Sequence, residues 1–560
     1  MDRLNALLHP VWRLISLPGL RYLTIALVAA IVIVPGLVDL PVTDRDEARF
    51  AQASKQMIET GDLIDIRFQD QPRWKKPIGI YWLQAASAEL FGGAEAPIGA
   101  YRLPSALTAF LGALIMVWAA WPFVGRKGAI IASLILATSI LFAVEAHIAK
   151  TDGALMFTAI VVLGALGRLL LPETPGKLRT ALFLWLALAA AILIKGPIVP
   201  LVALLAVTGL ALLTRHWPPL DNLRAFWGVP LMLVLIAPWL IAIWIVTGGA
   251  FFTESIGNDL LGKVAEGKEK HWGPPGLYAL LFWVTFWPWA SFLPLALPWL
   301  WRQRSEAWLA FLAAWVIPFW LILEAVPTKL PHYVLPLYPA IAIALAAWMT
   351  KAPEGTAQRW QRTLSAVLIG LPGAALALAI LIGPLALEGR FVWQAIALGI
   401  PALFFVALAA RAATAGHRFN QAACGLIAAL LLYPGALQFG LPSLTIGFPS
   451  PRIAAAAEPW RSCADGPLVS AGYREPSLVF MTETGTELAS PEMTAQHLRN
   501  GDNRVFAIED RWWPLIDAQL PDGRPELTER ARLEYFNYNR GNYETARIWT
   551  NTDPRWDACE

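Results

Sequence analysis

Charge is scarce in this chain. Lys, Arg, Asp and Glu together make up 15% of its 560 residues, where soluble domains carry about 25%. That shortage excludes an ordinary soluble globular protein. The net charge is only +3, too little to argue for nucleic acid as a partner. Three cysteines in the whole chain leave room for a single bridge. The first apolar segment, Arg21 to Leu40, lacks a small-residue cleavage site and is long enough to span, so it reads as a membrane helix and not a removable leader.

Apolar residues are what the chain has in quantity: 57% of the total, with 27 tryptophans and a mean hydropathy of +0.51. A membrane-crossing helix needs roughly 20 mostly apolar residues. Scanning for such runs predicts about thirteen spans, roughly 21–40, 99–122, 127–147, 153–171, 180–195, 197–213, 227–247, 277–300, 306–324, 333–349, 363–383, 393–411 and 421–444. The joint at Ile194-Lys195-Gly196-Pro197 decides the topology. One broken helix there would put the C-terminus on the other side of the membrane.

Cations mark alternate connections: Arg126 and Lys127, Lys177 and Arg179, Arg215 and Arg224, Arg302 and Arg304, Arg359 and Arg362, Arg411 and Arg418. By the positive-inside rule these face the cytoplasm together with Arg3, Arg13 and Arg21 of the N-terminus. The opposite connections, including the long first loop at roughly 41–98, then face outward. A region after roughly residue 445 is less hydrophobic and large enough, at about 115 residues, to hold its own small core. In it, Gly466–Tyr473, Ser477–Phe480 and Arg504–Ile508 read as strands, and Met493–Asn500 and Trp512–Leu520 as helices. Cys463 and Cys559 bracket this region, which suits a disulfide in an oxidising compartment.

The outward loops hold the chemistry. The first carries Thr43-Asp44-Arg45-Asp46-Glu47-Ala48-Arg49 and then Arg73-Trp74-Lys75-Lys76-Pro77. Thr43 with Asp46 fits a capping box at a helix start. Asp46 and Arg49, three apart, share a face and equally suit a base beside an anion-holding group. Arg73 to Pro77 could be interfacial anchoring. Three cations on the outer side, against the charge trend, favour an anionic ligand such as a lipid phosphate. Lys150-Thr151-Asp152 occupies a very short loop, where Asp152 reads as a helix cap. The loop at roughly 248–276, with Asn258, Asp259, Lys263, Glu266 and His271 before Gly273-Pro274-Pro275-Gly276, is a candidate lid or a solvated loop. Thr328 to Tyr333 combines Lys329, His332 and Tyr333 in one turn.

These motifs carry a resemblance. Asp46-Glu47-Ala48-Arg49, Gly61-Asp62, Lys76-Pro77 and Tyr81-Trp82, then Asp152, Lys195-Gly196 and Lys329-Leu330-Pro331-His332-Tyr333, resemble the lipid-A aminoarabinose transferases. Those are bacterial relatives of the protein O-mannosyltransferases. The resemblance implies a GT-C fold: an all-α polytopic membrane protein of about thirteen helices over 1–444, with a small C-terminal α/β periplasmic domain over 445–560. It implies a monomeric inner-membrane enzyme with its N-terminus cytoplasmic. Such an enzyme moves a sugar from an undecaprenyl-phosphate donor to lipid A, lipopolysaccharide or another envelope glycolipid. Carried over by motif, Asp46 and Asp152 are the catalytic acids. Arg49, Lys76, Tyr81, Lys263, Lys329 and Tyr333 are the substrate and carrier-phosphate contacts. A protein acceptor is the alternative within the family, and a lipid-linked sugar transporter the alternative outside it.

One position departs from the pattern. In the aminoarabinose transferases a Glu precedes the Lys-Pro of the first loop and can bind a metal with a His of the lid. Here that Glu is replaced by Lys75, and the lid reads Asn258-Asp259-Leu260. A second cation repels a divalent metal. The expectation is a metal-independent enzyme with no cofactor, in which Lys75 contacts the phosphate or an acidic substrate. A neutral or acidic sugar fits such a site better than an aminosugar.

Overall fold

The computed structural model describes residues 18–43, 45–171, 177–262, 272–537 and 540–559. Its apolar runs become helices: α1 (Pro18–Ile33), α2 (Asp46–Thr60), α3 (Gly79–Leu90), α4 (Ile98–Ala137), α5 (Ile140–Ala146), α6 (Asp152–Leu170), α7 (Lys177–Lys195), α8 (Ile198–Thr214) and α9 (Ala225–Thr247). They continue as α10 (Leu277–Thr285), α11 (Leu293–Arg302), α12 (Ala307–Ala325), α13 (Tyr338–Lys351), α14 (Arg359–Glu388), α15 (Trp393–Ala415) and α16 (Arg418–Pro434). Among the described residues nine helices are long and apolar enough to cross a membrane, and the pair α10–α11, bent by 107°, makes a tenth. Backbone geometry at Gly125 (φ 65°, ψ −176°) breaks α4 into two. With that break and the two shorter apolar helices α1 and α8, the helices match the thirteen runs read from the sequence.

The uncertain joint resolves as a turn. Gly196 takes φ +67°, which a residue with a Cβ adopts only at a cost. Pro197 follows as the residue that precedes α8, so α7 and α8 are separate helices.

Two helices in the first outward loop do not cross. α2 and α3 lie against each other and against the start of α4, joined by a small hairpin of β1 (Arg67–Phe68) and β2 (Gln71–Pro72). Their attachment is electrostatic. The Arg102 guanidinium on α4 donates to both oxygens of Glu47 on α2, at 2.7 and 2.9 Å, with both side chains fully buried. Arg102 also donates to the carbonyls of Leu37, Leu40 and Pro41, and Glu47 accepts from Thr43 and from the Ala149 amide. A buried pair is tolerable only when its remaining hydrogen bonds are satisfied in this way. The expected capping box does not form: Arg45 precedes α2 without a side-chain cap, and Thr43 donates to Glu47 at 2.8 Å and not to Asp46. Asp46 is left exposed at the first turn.

The C-terminal region is a five-stranded sheet of order β4-β3-β5-β7-β6, formed by β3 (Val469–Ala471), β4 (Glu487–Ala489), β5 (Phe506–Glu509), β6 (Leu527–Asn537) and β7 (Asn542–Asn551). Strands are found in Gly466–Tyr473 and Arg504–Ile508, and helices over Pro491–Asn500 and Trp513–Asp517, as expected. Ser477–Phe480 is instead helical, within Pro476–Met481. Pro476 at the first helical position favours that start, and so short an apolar run does not separate strand from helix. Cys463 and Cys559 are bonded, their Cα atoms 6.5 Å apart, closing the sheet region across 96 residues. Cys424 is buried and free in α16. The sheet region meets the first loop directly: Gln52 donates to Thr484, Gln69 to the carbonyls of Thr484 and Thr486, and Thr484 to Glu59.

Candidate active site

The very short connection ending in Asp152 is held from several sides. Ser105 on α4 donates to the Lys150 carbonyl at 2.9 Å, and Glu47 accepts from the Ala149 amide at 2.9 Å. Gly153 lies so close to α4 that a Cβ would sit 2.8 Å from the Ser105 carbonyl oxygen. These contacts fix Asp152 as the first residue of α6, at the level of α2's N-terminus.

One cavity gathers what the chain keeps apart. Asp46, Arg49 and Phe50 come from α2. Arg73, Lys75 and Lys76 come from the segment before α3. Lys150 and Asp152 come from the turn into α6, Lys195 from the end of α7, and His332 and Tyr333 from the turn before α13. Six basic side chains line it against two acidic ones, so its field attracts anions.

A buried network forms the inner wall. Lys195 Nζ lies 2.6 Å from Asp152 Oδ1 and 5.5 Å from the Tyr333 ring centroid. Lys150 Nζ lies 3.0 Å from Glu145, 3.1 Å from His332 Nδ1 and 3.9 Å from Asp152. An ammonium can only donate, so His332 Nδ1 accepts and the ring's proton sits on Nε2, 3.8 Å from Asp152 Oδ2. Burial alone would lower the pKa of Lys150. Glu145 and Asp152 override it, and the ammonium titrates above the ordinary lysine range.

The outer wall is built on aromatics. The Arg73 guanidinium lies 5.0 Å from the Phe50 ring centroid, and Phe50 stacks on Tyr81 at 5.2 Å. Lys76 Nζ lies 2.5 Å from Asp259 Oδ2, which belongs to the segment Thr253–Leu261 beyond the turn at Gly248 and Gly249. Arg45, just before Asp46, has φ +66°, a conformation that costs a non-glycine residue and is concentrated at functional sites.

Thus Asp46, Arg49, Lys75, Lys76, Asp152 and Tyr333 come together as their motifs imply. Two expected contacts do not reach the cavity. Tyr81 is fully buried beneath Phe50, where burial raises its pKa and the neighbouring Arg73 only partly offsets that. Lys329 turns away and donates to the carbonyls of Leu323, Glu324 and Val326, closing the C-terminal end of α12. Its role there is that of a helix cap. Lys263 lies outside the described residues. Asp152, read from spacing as a cap, is an ion-pair hub. Glu145 joins it from an apolar run, Ile140–Ala146, where a lone acid is itself the signal of a functional site.

Glu145, Asp152 and His332 offer ligand atoms within 4.8 Å of one another, close enough for a metal ion. Two ammonium groups already neutralise those carboxylates. A divalent ion would have to displace them, so the donor set does not suit one.

Known proteins resemble the chain in sequence and in fold. The family described as dolichyl-phosphate-mannose-protein mannosyltransferase matches residues 75–244. The undecaprenyl phosphate-alpha-4-amino-4-deoxy-L-arabinose arabinosyl transferase of Edwardsiella ictaluri (strain 93-146) is 27% identical over 375 residues, 64% of this chain and 66% of that one. Its counterpart in Yersinia pestis (strain Pestoides F) is 25% identical, over 61% of this chain and 62% of the other. The chain thus matches slightly less than two thirds of these relatives' length. The crystal structure of ArnT from Cupriavidus metallidurans bound to undecaprenyl phosphate superposes with a TM-score of 0.76 at 19% identity, covering 96% of this chain and 98% of that one. Its apo form gives a TM-score of 0.72. The chain is thus similar in sequence to these arabinosyl transferases and shares its fold with the membrane protein ArnT.

Proposed function

We propose that the protein transfers a sugar from an undecaprenyl-phosphate-linked donor to lipid A, lipopolysaccharide or another envelope glycolipid, on the periplasmic face of a bacterial inner membrane. The observation that carries this reading is the cavity in which Asp46 and Asp152 face Arg49, Lys75 and Lys76. In the reaction, the bond between the sugar's anomeric carbon and the carrier-phosphate oxygen breaks, and a bond to the acceptor oxygen forms. Negative charge grows on the departing phosphate, where fixed guanidinium and ammonium groups in a poorly hydrated pocket stabilise it most. The anomeric carbon becomes oxocarbenium-like, and the Asp46 carboxylate stabilises it through space. A hydroxyl acceptor gives its proton to Asp46. A phosphate acceptor is already ionised and needs no base. Asp152, held by Lys195 and Lys150, keeps the inner wall charged and ordered.

No divalent metal takes part in this reading, because Lys75, Lys150 and Lys195 supply the positive charge that a metal would. The region from 445 to 560 is proposed to be periplasmic, which suits its disulfide. A protein acceptor is the second reading, favoured by the family match to protein mannosyltransferases. One experiment separates the two: incubate the purified full-length protein with a labelled undecaprenyl-phosphate sugar and a membrane extract. Label in glycolipid supports the first reading, and label in protein supports the second. Uptake of label into vesicles with no transfer supports a transporter and contradicts both.

A further inference from the structure

The molecule has a second polar recess, at the far end of the helix that carries Tyr333. The segment from Pro331 to Lys351 crosses roughly 30 Å, which places its two ends at opposite membrane faces. At the Lys351 end, the termini of α13 to α16 surround a small, partly open recess lined by Trp348, Glu354, Arg362, Gly416, Arg418 and Gln421.

Three polar atoms there are buried and lack partners. Gln421 is fully buried, and its amide nitrogen donates to Ser365 at 2.8 Å and Ser291 at 3.2 Å. Its Oε1 accepts nothing, and neither Arg362 Nε nor Arg418 Nε has an acceptor. Buried polar groups are nearly always satisfied, so each such atom calls for an explanation. The arginines are also held in place. Arg418 donates to the Ala352 carbonyl at 2.9 Å and lies 5.5 Å from the Trp348 ring centroid. Gly416, at φ +81°, lets the chain pass against the Arg362 guanidinium, where a Cβ would sit 3.0 Å from its Cζ. Glu354 is 4.0 Å from Arg418 and 76% exposed, a pairing weak enough for a ligand to displace.

The first turns of α14, which bring Arg362 to the recess, also carry a shallow, open apolar surface formed by Arg359, Trp360, Leu364 and Val367. Its apolar side chains are 60%, 39% and 51% exposed. The two features ask for one molecule. Guanidinium groups with N–H bonds to spare suit a phosphate. An orphaned amide oxygen needs a donor, which a headgroup hydroxyl supplies. The apolar surface suits acyl chains.

We propose that this recess binds the headgroup of an anionic glycerophospholipid whose headgroup carries a hydroxyl, of the phosphatidylglycerol type, with its chains on the α14 surface. The test uses full-length protein in nanodiscs of phosphatidylcholine doped with phosphatidylglycerol, read by native mass spectrometry and by Tm. Phosphatidylglycerol is expected to bind at least tenfold more tightly than phosphatidylcholine and to raise Tm. Arg362→Gln should lower that preference about tenfold. Gln421→Glu, which places a carboxylate beside the phosphate while keeping the side chain's shape, should abolish it. Arg418 is left intact because it also anchors Ala352. Unchanged preference in both variants overturns the proposal. Equal stabilisation by inorganic phosphate alone assigns the recess to a free anion and overturns the lipid reading.

Discussion

Lys76 and Asp259, 183 residues apart in sequence, meet at 2.5 Å and tie the first loop to the segment Thr253–Leu261. In the proposed reaction Lys76 holds the carrier phosphate, so Asp259 competes with the substrate for the same ammonium. Asp259→Asn should therefore lower the KM for the polyprenyl-phosphate donor by about three- to tenfold. Steady-state kinetics on the purified protein measure this. An unchanged or higher KM means that the pair holds the site open and does not compete.

The pair between Glu47 and Arg102 predicts a stability effect. Removing one partner of a fully buried pair strands the other charge, which costs about 3–5 kcal/mol. Glu47→Gln should lower Tm clearly in detergent, whereas a surface pair such as Arg532 with Glu534 should change it little. Burial on its own would raise the pKa of Glu47, but Arg102 outweighs it and the folded value lies below the ordinary carboxylate range. The stabilisation is thus fully present above the unfolded-state pKa and fades as pH falls through the folded one. Wild type should lose more stability than Glu47→Gln on acidification below about pH 4.

Lys195→Gln leaves Asp152 with longer contacts, to Thr151 at 3.5 Å, His332 at 3.8 Å and Lys150 at 3.9 Å. Turnover should fall by about 10- to 100-fold, with a smaller change in donor KM, because the inner wall loses its order while Arg49 and Lys76 remain. Lys195→Arg should recover part of the loss.

Chelation tests the charge argument. With Lys75, Lys150 and Lys195 lining the cavity, EDTA treatment followed by desalting should leave the transfer rate within about twofold of its starting value. A loss reversed by a divalent ion would place a metal at Glu145, Asp152 and His332.

Much of this site could be read from the sequence, for a physical reason. Asp46, Arg49, Lys75 and Lys76 are conspicuous because charge is costly beside a membrane and rare in this chain. The spans were equally legible from their length and apolarity. Long-range pairings were not. Glu47 and Arg102 are 55 residues apart, and nothing local distinguishes Glu47 from Asp46 next to it, so spacing points to Asp46 where the fold uses Glu47. Lys329 shares a turn with His332 and Tyr333, yet its side chain is drawn to the free carbonyls at the end of α12. The hairpin of β6 and β7 is invisible to a search for apolar runs, because Ala531, Leu533 and Tyr535 point inward from among the charged neighbours Arg530, Arg532 and Glu534. Its strands are held instead by pairing along ten residues and by cross-strand pairs such as Arg547 with Glu529.

The central claim is that Asp46, exposed at the start of α2 and facing the cations of the cavity, acts on the sugar being transferred. The direct measurement is transfer of labelled sugar from undecaprenyl phosphate by Asp46→Asn, alongside the variant's Tm and its affinity for undecaprenyl phosphate. Transfer should fall by about 100-fold or more, with Tm and carrier affinity close to wild type. Transfer at the wild-type rate by the folded variant would contradict the assignment.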